Sequence, residues 1–289
     1  MIQISDDLSA LRARIAAWKR DGLRIGLVPT MGNLHAGHYA LIALARTRCD
    51  RVVASSFVNP TQFGRDEDFA RYPRTPEADA AGLDAAGCDL LWRPSVETMY
   101  PFGPDNAVRM RVPGITDVLD GAHRPGHFDG VATVVTRLFH QVQPDVAVFG
   151  RKDYQQLAVI DYLVRDLAFP IALLPAPIVR EADGLAMSSR NQYLSAAARA
   201  AAPAIYRTLL AMQAAAEHGA THAAVEHDAR AMLETSGFEL DYAVVRAPDL
   251  RDQMPAAGIE GDAVALIAAR IGGTRLIDNL EFSGSPAPR

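Results

Sequence analysis

Between residues 23 and 178, short apolar runs rich in β-branched residues alternate with longer segments in which apolar residues recur every three or four positions. This alternation is typical of right-handed βαβ units, whose strands lie side by side in a parallel sheet. It predicts a doubly wound parallel α/β sheet within a first domain that covers residues 1–179. The predicted strands are 23–28, 51–58, 90–93, 145–149 and 171–174, and the clearest predicted helices are 38–48, 76–86, 131–142 and 154–166.

The pattern changes after residue 180. An alanine-rich helical segment begins after Ser195, a good N-cap, and Pro203 is expected to kink or restart it. A further helix is predicted over 221–235. Strands are predicted over 240–247, 263–271 and 274–280, the last two joined by a glycine pair that suits a hairpin turn. We therefore expect a smaller α+β domain over residues 180–289, which closes over the site of the first domain.

The segment before the first predicted strand is amphipathic over residues 8–20, which predicts an opening helix with Ser5 or Ser9 as its N-cap. Acidic residues stand near the start of the chain where a signal peptide has a basic and then an apolar run, so we expect a cytoplasmic protein. Cys49 and Cys88 lack the spacing of a zinc or redox motif, which favours two reduced thiols.

Composition narrows the class of partner. With 289 residues, of which 49% are apolar, the chain can fill a sizeable core. Its net charge of -5 disfavours nucleic acid as the main partner, and its sequence has no apolar run of the roughly 18 residues that a membrane span needs. Small molecules are the favoured substrates.

Polar clusters follow four of the predicted strands. "PTMGNLHAGH" follows the first strand, "NPTQFGRDED" the second, "GRKDYQQ" the fourth, and "READGLAMSSRN" comes after the fifth. Ligands of doubly wound sheets lie beyond the carboxyl ends of the strands. The coincidence of four such clusters predicts a binding site at this edge of the sheet.

His35 and His38 belong to the first of these clusters. Gly32 and Gly37 allow tight turns there, and the helix that starts near His38 presents N–H groups and a positive dipole end. Two imidazoles at that end suit the phosphates of a nucleotide. The alternatives are a capping and packing pair, or zinc ligation with a third ligand that is distant in sequence.

Cations and amides make up the other clusters. Lys152 and Arg190 suit phosphate oxygens, although surface charge is the plainer interpretation of each. The amides Asn59, Gln62 and Gln156 are able to bind a hydroxylated acid without adding charge. The alternative is that they are ordinary turn residues or loop caps.

The motif His-x-Gly-His after a strand resembles the HIGH signature of the nucleotidyltransferase superfamily, which includes class I aminoacyl-tRNA synthetases. The set "VPTMGNLHAGH", "FVNPTQF", "YPRT", "GRKDYQQL" and "READGLAMSSRN" resembles the pantothenate synthetase family. This resemblance implies a Rossmann-like fold and an AMP-forming carbon–nitrogen ligase that joins pantoate to β-alanine through a pantoyl adenylate. It also implies Mg²⁺ brought with ATP, and a homodimer.

The resemblance also implies roles for individual residues. The residues with catalytic roles are His35, His38, Asn59, Lys152, Ser188 and Arg190, with Asn59 near the reacting phosphate. Those that bind ATP are Pro29, Thr30, Met31, His35, Gly37, His38, Gly150, Lys152, Asp153, Val179, Met187, Ser188, Ser189 and Arg190. Pantoate is bound by Met31, Gln62, Phe63 and Gln156. Asp79 is the candidate magnesium ligand, and Tyr72, His127 and Asp129 resemble family positions near the site.

Two other functions compete with the ligase. A nucleotidyltransferase that acts on a phosphate ester would share "HAGH" but would need a basic acceptor pocket in place of Gln62 and Gln156. The other is a tRNA-binding synthetase relative or an inactive binding module. A tRNA binder should show a basic face or an appended anticodon domain, and the alanine-rich, net acidic chain offers neither.

Overall fold

The computed structural model describes residues 2–64, 67, 69–250 and 259–284. The chain forms two compact units, which are described separately. The larger consists of Met1–Arg151 and Gln156–Pro177, and the smaller of Lys152–Gln155 and Ile178–Arg289. The predicted boundary at residue 179 and the predicted closure of the smaller domain stay predictions.

A parallel sheet forms the centre of the larger unit, as predicted, and it has six strands where five were predicted. Its strands are β1 (Gln3–Ser5), β2 (Ile25–Thr30), β3 (Arg51–Ser56), β4 (Leu90–Trp92), β5 (Val146–Gly150) and β6 (Ala172–Ala176), in the spatial order β1-β4-β3-β2-β5-β6. The order reverses direction between β2 and β5, so the loops after β2, β3 and β5 come from neighbouring strands and leave at one edge.

Five helices of the larger unit correspond to predicted ones, and two helices of four residues each were not predicted. They are α1 (Leu8–Arg20), α2 (Ala36–Arg46), α3 (Pro76–Ala85), α4 (Val96–Met99), α5 (Asp120–His123), α6 (His127–Val142) and α7 (Tyr154–Asp166). α1 and α7 have the predicted bounds, and α6 begins four residues earlier than predicted.

The N-cap of α1 was predicted wrongly. The cap is Asp7, whose Oδ1 accepts a hydrogen bond from Ala10 N at 2.8 Å. Ser5 ends β1, and Ser9 lies inside the helix. A carboxylate fits a helix N-terminus as well as a hydroxyl does and adds a favourable charge.

The core of the larger unit packs between the sheet and its helices. Leu27, Val28, Ile42, Val52 and Leu90 are wholly buried. Cys49 and Cys88 are buried and free, as predicted, and burial raises the pKa of Cys88 to about 12. A thiol with so high a pKa is a packing group rather than a nucleophile.

The smaller unit pairs helices with an antiparallel sheet, as predicted. Its helices are α8 (Ala196–Ala201), α9 (Ala204–Glu217) and α10 (His222–Thr235), and its strands β7 (Glu239–Arg246), β8 (Asp262–Ile271) and β9 (Thr274–Ser283) lie in the order β7-β8-β9. Ser195 caps α8, and Pro203 separates α8 from α9, both as predicted. No helix in the described residues has the length and apolar character to cross a bilayer.

Replacing Asp7 with Ala should lower the free energy of unfolding of the larger unit by about 1 kcal/mol, because the N-terminus of α1 loses its acceptor. Ser9→Ala is the matched control and should change it by less than about 0.5 kcal/mol. Both tryptophans, Trp18 and Trp92, lie in the larger unit, so urea unfolding followed by their fluorescence reports on it. A greater loss in Ser9→Ala than in Asp7→Ala would contradict the assignment of the cap.

Candidate active site

The first polar turn follows β2, and Pro29 and Thr30 are the last two residues of that strand. Thr30 Oγ1 donates to Ser55 O of β3 at 2.6 Å and accepts from Gly32 N at 3.2 Å. Gly32 has a φ of +83°, and a Cβ there would lie 2.9 Å from Ser56 Oγ. The turn therefore requires glycine at this position.

Asp79 lies in the first turn of α3. Its carboxylate holds Asn33 and Leu34, the two residues after Gly32. Asp79 is 2% exposed. Its Oδ2 accepts from Asn33 N at 2.8 Å, and its Oδ1 accepts from Leu34 N at 2.8 Å and from Thr75 Oγ1 at 3.0 Å. Because both oxygens are engaged with protein donors, the geometry indicates a loop-positioning carboxylate. The assignment of Asp79 as a magnesium ligand stays a prediction.

His35 and His38 form a capping box at the start of α2. His35 Nδ1 accepts from Gly37 N at 3.1 Å, and His38 Nδ1 accepts from His35 N at 3.3 Å. The ring centroids are 4.2 Å apart. The histidines therefore have the capping role that the sequence left open as an alternative.

The cap uses Nδ1 of each ring. In this arrangement both Nδ1 atoms accept hydrogen bonds, so a neutral ring carries its proton on Nε2. An Nε2–H group is a donor that suits a phosphate oxygen, and it stands at the positive end of the α2 dipole. The cap thus fixes the tautomer of both histidines.

Asn59, which follows β3, is the centre of a buried network and is 1% exposed. Its Oδ1 accepts from Tyr100 OH at 2.6 Å, from Thr61 Oγ1 at 3.0 Å and from Thr61 N at 3.3 Å. Its Nδ2 donates to Gln62 Oε1 at 3.0 Å and to Gly130 O at 3.2 Å. This geometry gives Asn59 the role of holding Gln62, and its catalytic role near a phosphate stays a prediction.

Two of the residues predicted to bind pantoate meet directly. Gln62 Nε2 donates to Met31 Sδ at 3.2 Å. Phe63 follows Gln62, and its ring packs edge-on against Phe69 at 5.4 Å and Tyr72 at 5.9 Å between centroids. Beyond β2 and β3, the larger unit therefore combines an uncharged amide with apolar and aromatic surface. Gln156, the fourth predicted residue, lies half-buried in the first turn of α7.

An ion pair and a histidine contact the backbone of Gln62. Arg124 binds Glu67 through two hydrogen bonds, Nε to Oε1 and Nη2 to Oε2, both 2.7 Å. Arg124 Nη1 lies 2.9 Å from His127 Nε2, and His127 Nδ1 lies 2.8 Å from Gln62 O. A carbonyl only accepts, so Nδ1 carries the proton and Nε2 accepts from Arg124.

The pKa values of these groups determine which of them are charged. Burial, and then the charge of Arg124, lowers the pKa of His127 from 6.5 to about 4. Burial would raise the pKa of Glu67, but the hydrogen bond and charge of Arg124 outweigh it, so that this pKa is lowered. At neutral pH the set is therefore a carboxylate, a guanidinium and a neutral imidazole.

Polar residues of the smaller unit surround Lys152. Arg180 binds Asp278 through Nη1 at 2.6 Å and Nη2 at 3.0 Å, and its guanidinium stacks 3.8 Å from the centroid of Tyr206. The next residue, Asn279, donates from Nδ2 to Lys152 O at 2.9 Å. The Lys152 side chain is 19% exposed, and Nζ lies 3.8 Å from Asp153 Oδ1. Asn279, in the middle of β9, thus holds the backbone of the predicted phosphate-binding lysine.

The segment "MSSRN" begins a short 3-10 turn, Ser189–Tyr193, also in the smaller unit. Ser188 Oγ accepts from Arg190 N at 3.2 Å, and Met187 N donates to Val179 O at 2.9 Å. The structure therefore brings together Val179, Met187, Ser188 and Arg190, four residues of the predicted ATP set.

Several residues that shape these clusters were not predicted from the sequence. They are Glu67, Tyr100, Arg124, Arg180, Asp278 and Asn279. Arg124 stands three residues before His127 in "HRPGHFDG", and a charged residue so close to a candidate histidine was a usable signal. Asp278 and Asn279 lie in a strand of the smaller domain, far along the chain from Lys152, and carried no such signal.

His127 should remain neutral well below the usual pKa of histidine. Because folding lowers this pKa, the unfolded chain binds the proton more tightly, and protonation should destabilise the fold as pH falls from 6.5 towards 4. NMR titration of histidine-labelled protein, with His127→Gln to assign the resonance, should show the neutral Nδ1–H form down to about pH 5. A titration midpoint near pH 6.5 would contradict the buried contacts.

Gly130→Ala should disturb the amide cluster, because the added Cβ would meet the backbone carbonyl of Thr61 and lie 2.7 Å from Gln62 Cα. Alanine is otherwise the better helix former by about 1 kcal/mol, so a loss of stability here would reflect this contact. The matched control is Gly82→Ala in α3, where the three atoms nearest to the added methyl belong to the Tyr39 side chain and include its hydroxyl, and no backbone atom is among them. Tryptophan fluorescence in urea should show Gly130→Ala less stable than Gly82→Ala, and the reverse order would contradict this packing.

Comparison with known proteins extends over nearly the whole chain. The pantoate-beta-alanine ligase family matches residues 3–281. The chain is 63% identical over 282 residues to the pantothenate synthetase of Stenotrophomonas maltophilia strain R551-3, covering 98% of this chain and 100% of the relative. It is 64% identical to that of Xanthomonas euvesicatoria over the same shares.

Solved structures agree with these relatives. The pantothenate synthetase of Thermus thermophilus matches with a TM-score of 0.89 and 47% identity, covering 96% of this chain and 99% of that one. The pantoate-beta-alanine ligase of Francisella tularensis, complexed with beta-gamma ATP and beta-alanine, matches with a TM-score of 0.80 and 31% identity over 97% of both chains. The chain therefore belongs to the pantoate-beta-alanine ligase family.

Proposed function

We propose that this protein condenses pantoate with β-alanine, using ATP, and forms pantothenate, AMP and pyrophosphate through a pantoyl adenylate. The family match and the relatives with 63% and 64% identity support the overall reaction. The assignment of individual residues rests on the motifs and on the geometry of each unit.

One observation favours an acid without a phosphate group as the acceptor: the group next to Met31 is the uncharged amide of Gln62. Arg124, whose Nη2 lies 3.5 Å from the backbone oxygen of Gln62, has its charge neutralised by Glu67 through two hydrogen bonds. A transferase acting on a phosphate ester needs unpaired positive charge at its acceptor site. The uncharged amide and the neutralised guanidinium therefore suit the hydroxyl and carboxylate of pantoate.

In the first step, a carboxylate oxygen of pantoate attacks the α-phosphorus of ATP, and the bond to the leaving pyrophosphate breaks. Charge builds on the phosphoryl oxygens, so the protein acts by in-line positioning and by preorganised donors. The proposed donors are the Nε2–H groups of His35 and His38, the N-terminus of α2, Lys152, and the "MSSR" segment with Ser188 and Arg190. Gln62 and Gln156 orient the pantoate.

In the second step, the amine of β-alanine attacks the carbonyl carbon of the adenylate, the bond to AMP breaks, and the nitrogen loses a proton. The adenylate is a mixed anhydride that water would hydrolyse, so the site must exclude water. The proposed route forms no covalent bond to the protein, and the raised pKa of Cys88 accords with this.

Magnesium is proposed to enter with ATP, as part of the substrate. Among the described residues, no group of three or more His, Cys, Asp or Glu side chains comes together as a metal site. An ion that keeps most of its water and binds mainly to phosphates needs few protein ligands. A homodimer is also proposed, on the family resemblance, and a cytoplasmic location is proposed on the composition of the sequence.

The direct test of the proposed function is isotope exchange. With ATP, magnesium and pantoate but no β-alanine, the protein should exchange labelled pyrophosphate into ATP, because only reversible adenylation of pantoate returns the label. Reactions without pantoate are the control. Exchange that ignores pantoate but responds to a phosphorylated acceptor with CTP or ATP would replace the ligase with a nucleotidyltransferase.

Lys152→Ala and His38→Ala should each slow formation of the adenylate by a factor that corresponds to about 2.7 to 4 kcal/mol, because each removes a donor aimed at the transition state. Single-turnover measurement of pantoyl adenylate formation gives this rate. The chain has one other lysine, the exposed Lys19 at the end of α1, and Lys19→Ala is the matched control that should keep the wild-type rate. A folded Lys152→Ala protein as fast as Lys19→Ala would remove Lys152 from the mechanism.

A further inference from the structure

We propose that the side chains of Glu67, Arg124 and His127, together called the positioning relay, fix the backbone of Gln62 and, through it, the amide that binds pantoate. The inference rests on the proposed function, because it concerns the pantoate site of that reaction. None of the three residues needs to touch the substrate.

The positioning relay has a defined direction. Both oxygens of Glu67 are used by Arg124, which fixes the plane of the guanidinium. The third nitrogen of that plane, Nη1, donates to His127 Nε2, which leaves Nδ1–H to donate to Gln62 O. His127 Nδ1 is the nearer donor to Gln62 O at 2.8 Å, and Arg124 Nη2 reaches the same oxygen at 3.5 Å, so changing His127 or Arg124 alters a donor to Gln62.

Gln62 is held both by His127 and by the hydrogen bonds of Asn59. His127 holds the carbonyl of Gln62, while Asn59 Nδ2 holds the side-chain Oε1 at 3.0 Å. The first turn of α6 contains both His127 and Gly130, and a Cβ at Gly130 would lie 2.7 Å from Gln62 Cα. Gln62 is therefore fixed at its carbonyl, its Cα and its amide, with Nε2 directed at Met31 Sδ.

The contacts also explain why the set contains both charges. Arg124 Nη2 lies 3.5 Å from Gln62 O, so an unpaired guanidinium would make this part of the site basic. Glu67 lies 2.7 Å from that guanidinium and is 25% exposed, and Arg124 is 16% exposed. The pair delivers a rigid donor to His127 while keeping its net charge near zero.

The first experiment compares two replacements of His127 by steady-state kinetics. His127→Phe keeps an aromatic ring beside Phe128 but has no donor, and it should raise KM for pantoate by at least about tenfold. KM for ATP and for β-alanine should stay within about twofold of the wild type. His127→Gln offers an N–H to Gln62 O and a carbonyl to Arg124, and it should restore KM for pantoate to within about threefold.

The second experiment removes the ion pair. Arg124→Gln and Glu67→Gln should each raise KM for pantoate selectively, and His127→Phe with Arg124→Gln should be little worse than His127→Phe alone. Arg93→Gln is the matched control, because Arg93 also binds a carboxylate through Nε and Nη2, that of Asp6, but at an exposed site. It should leave all three KM values unchanged.

The outcomes separate the proposal from the function on which it rests. Wild-type protein without pantoate-dependent pyrophosphate exchange would overturn the proposed function itself. Wild-type protein with exchange, whose folded His127→Phe and Arg124→Gln variants keep a normal KM for pantoate or raise all three KM values equally, would overturn the positioning relay alone. If His127→Phe does not fold, Glu67→Gln, at the more exposed end of the positioning relay, decides by the same criterion.

Discussion

The side-chain amide of Asn59 is the contact on which the larger unit's share of the site depends. It joins the turn after β3, the ring of Tyr100 and the first turn of α6 through Gly130 O, and all of its hydrogen-bonding groups are used within the protein. Leaving a buried polar group without a partner costs about 1–3 kcal/mol. The three segments are therefore held together more firmly than their packing alone would hold them.

Charged groups in this protein mainly position the backbone. Asp79 binds two successive N–H groups before the histidine pair, and Arg124 reaches Gln62 O through His127. In the smaller unit, Arg180 and Asp278 adjoin Asn279, which holds Lys152 O. Each of these charged groups is held by hydrogen bonds within the protein, and these bonds position the groups proposed to meet substrate. Such preorganisation is how an enzyme stabilises charge without rearranging at the moment of reaction.

Helices and strands were predicted accurately from the sequence where the apolar spacing repeats several times. α7 was predicted to the residue, because its 13 residues hold several repeats of the apolar spacing. β1 was missed, because three residues show no period and their place in the sheet depends on pairing with β4. The cap of α1 was wrong because Ser5, Asp7 and Ser9 all suit an N-cap, and local sequence does not choose among them.

The residues of the candidate site also fall into two groups, those that the sequence indicates and those that only the structure shows. Motif residues such as His35, Lys152 and Gln62 could be proposed from the sequence because each one follows the end of a predicted strand. Their supports were not found, because Asn59 meets Gly130 across 71 positions and Arg124 meets Glu67 across 57, distances that only the folded chain closes. The structure also changes the interpretation of Asn59 and Asp79, whose hydrogen bonds serve neighbouring residues of the protein.

The central claim is that Asn59 acts through Gln62, and a double-mutant cycle tests it most directly. Asn59→Ala should lower kcat/KM for pantoate in pyrophosphate exchange by about tenfold or more when Gln62 is present, and by no more than about twofold in a Gln62→Ala background. The two losses would then be strongly non-additive. If Asn59→Ala costs the same factor in both backgrounds, Asn59 acts on the reacting groups independently of Gln62, and the account of a preorganised amide site is wrong.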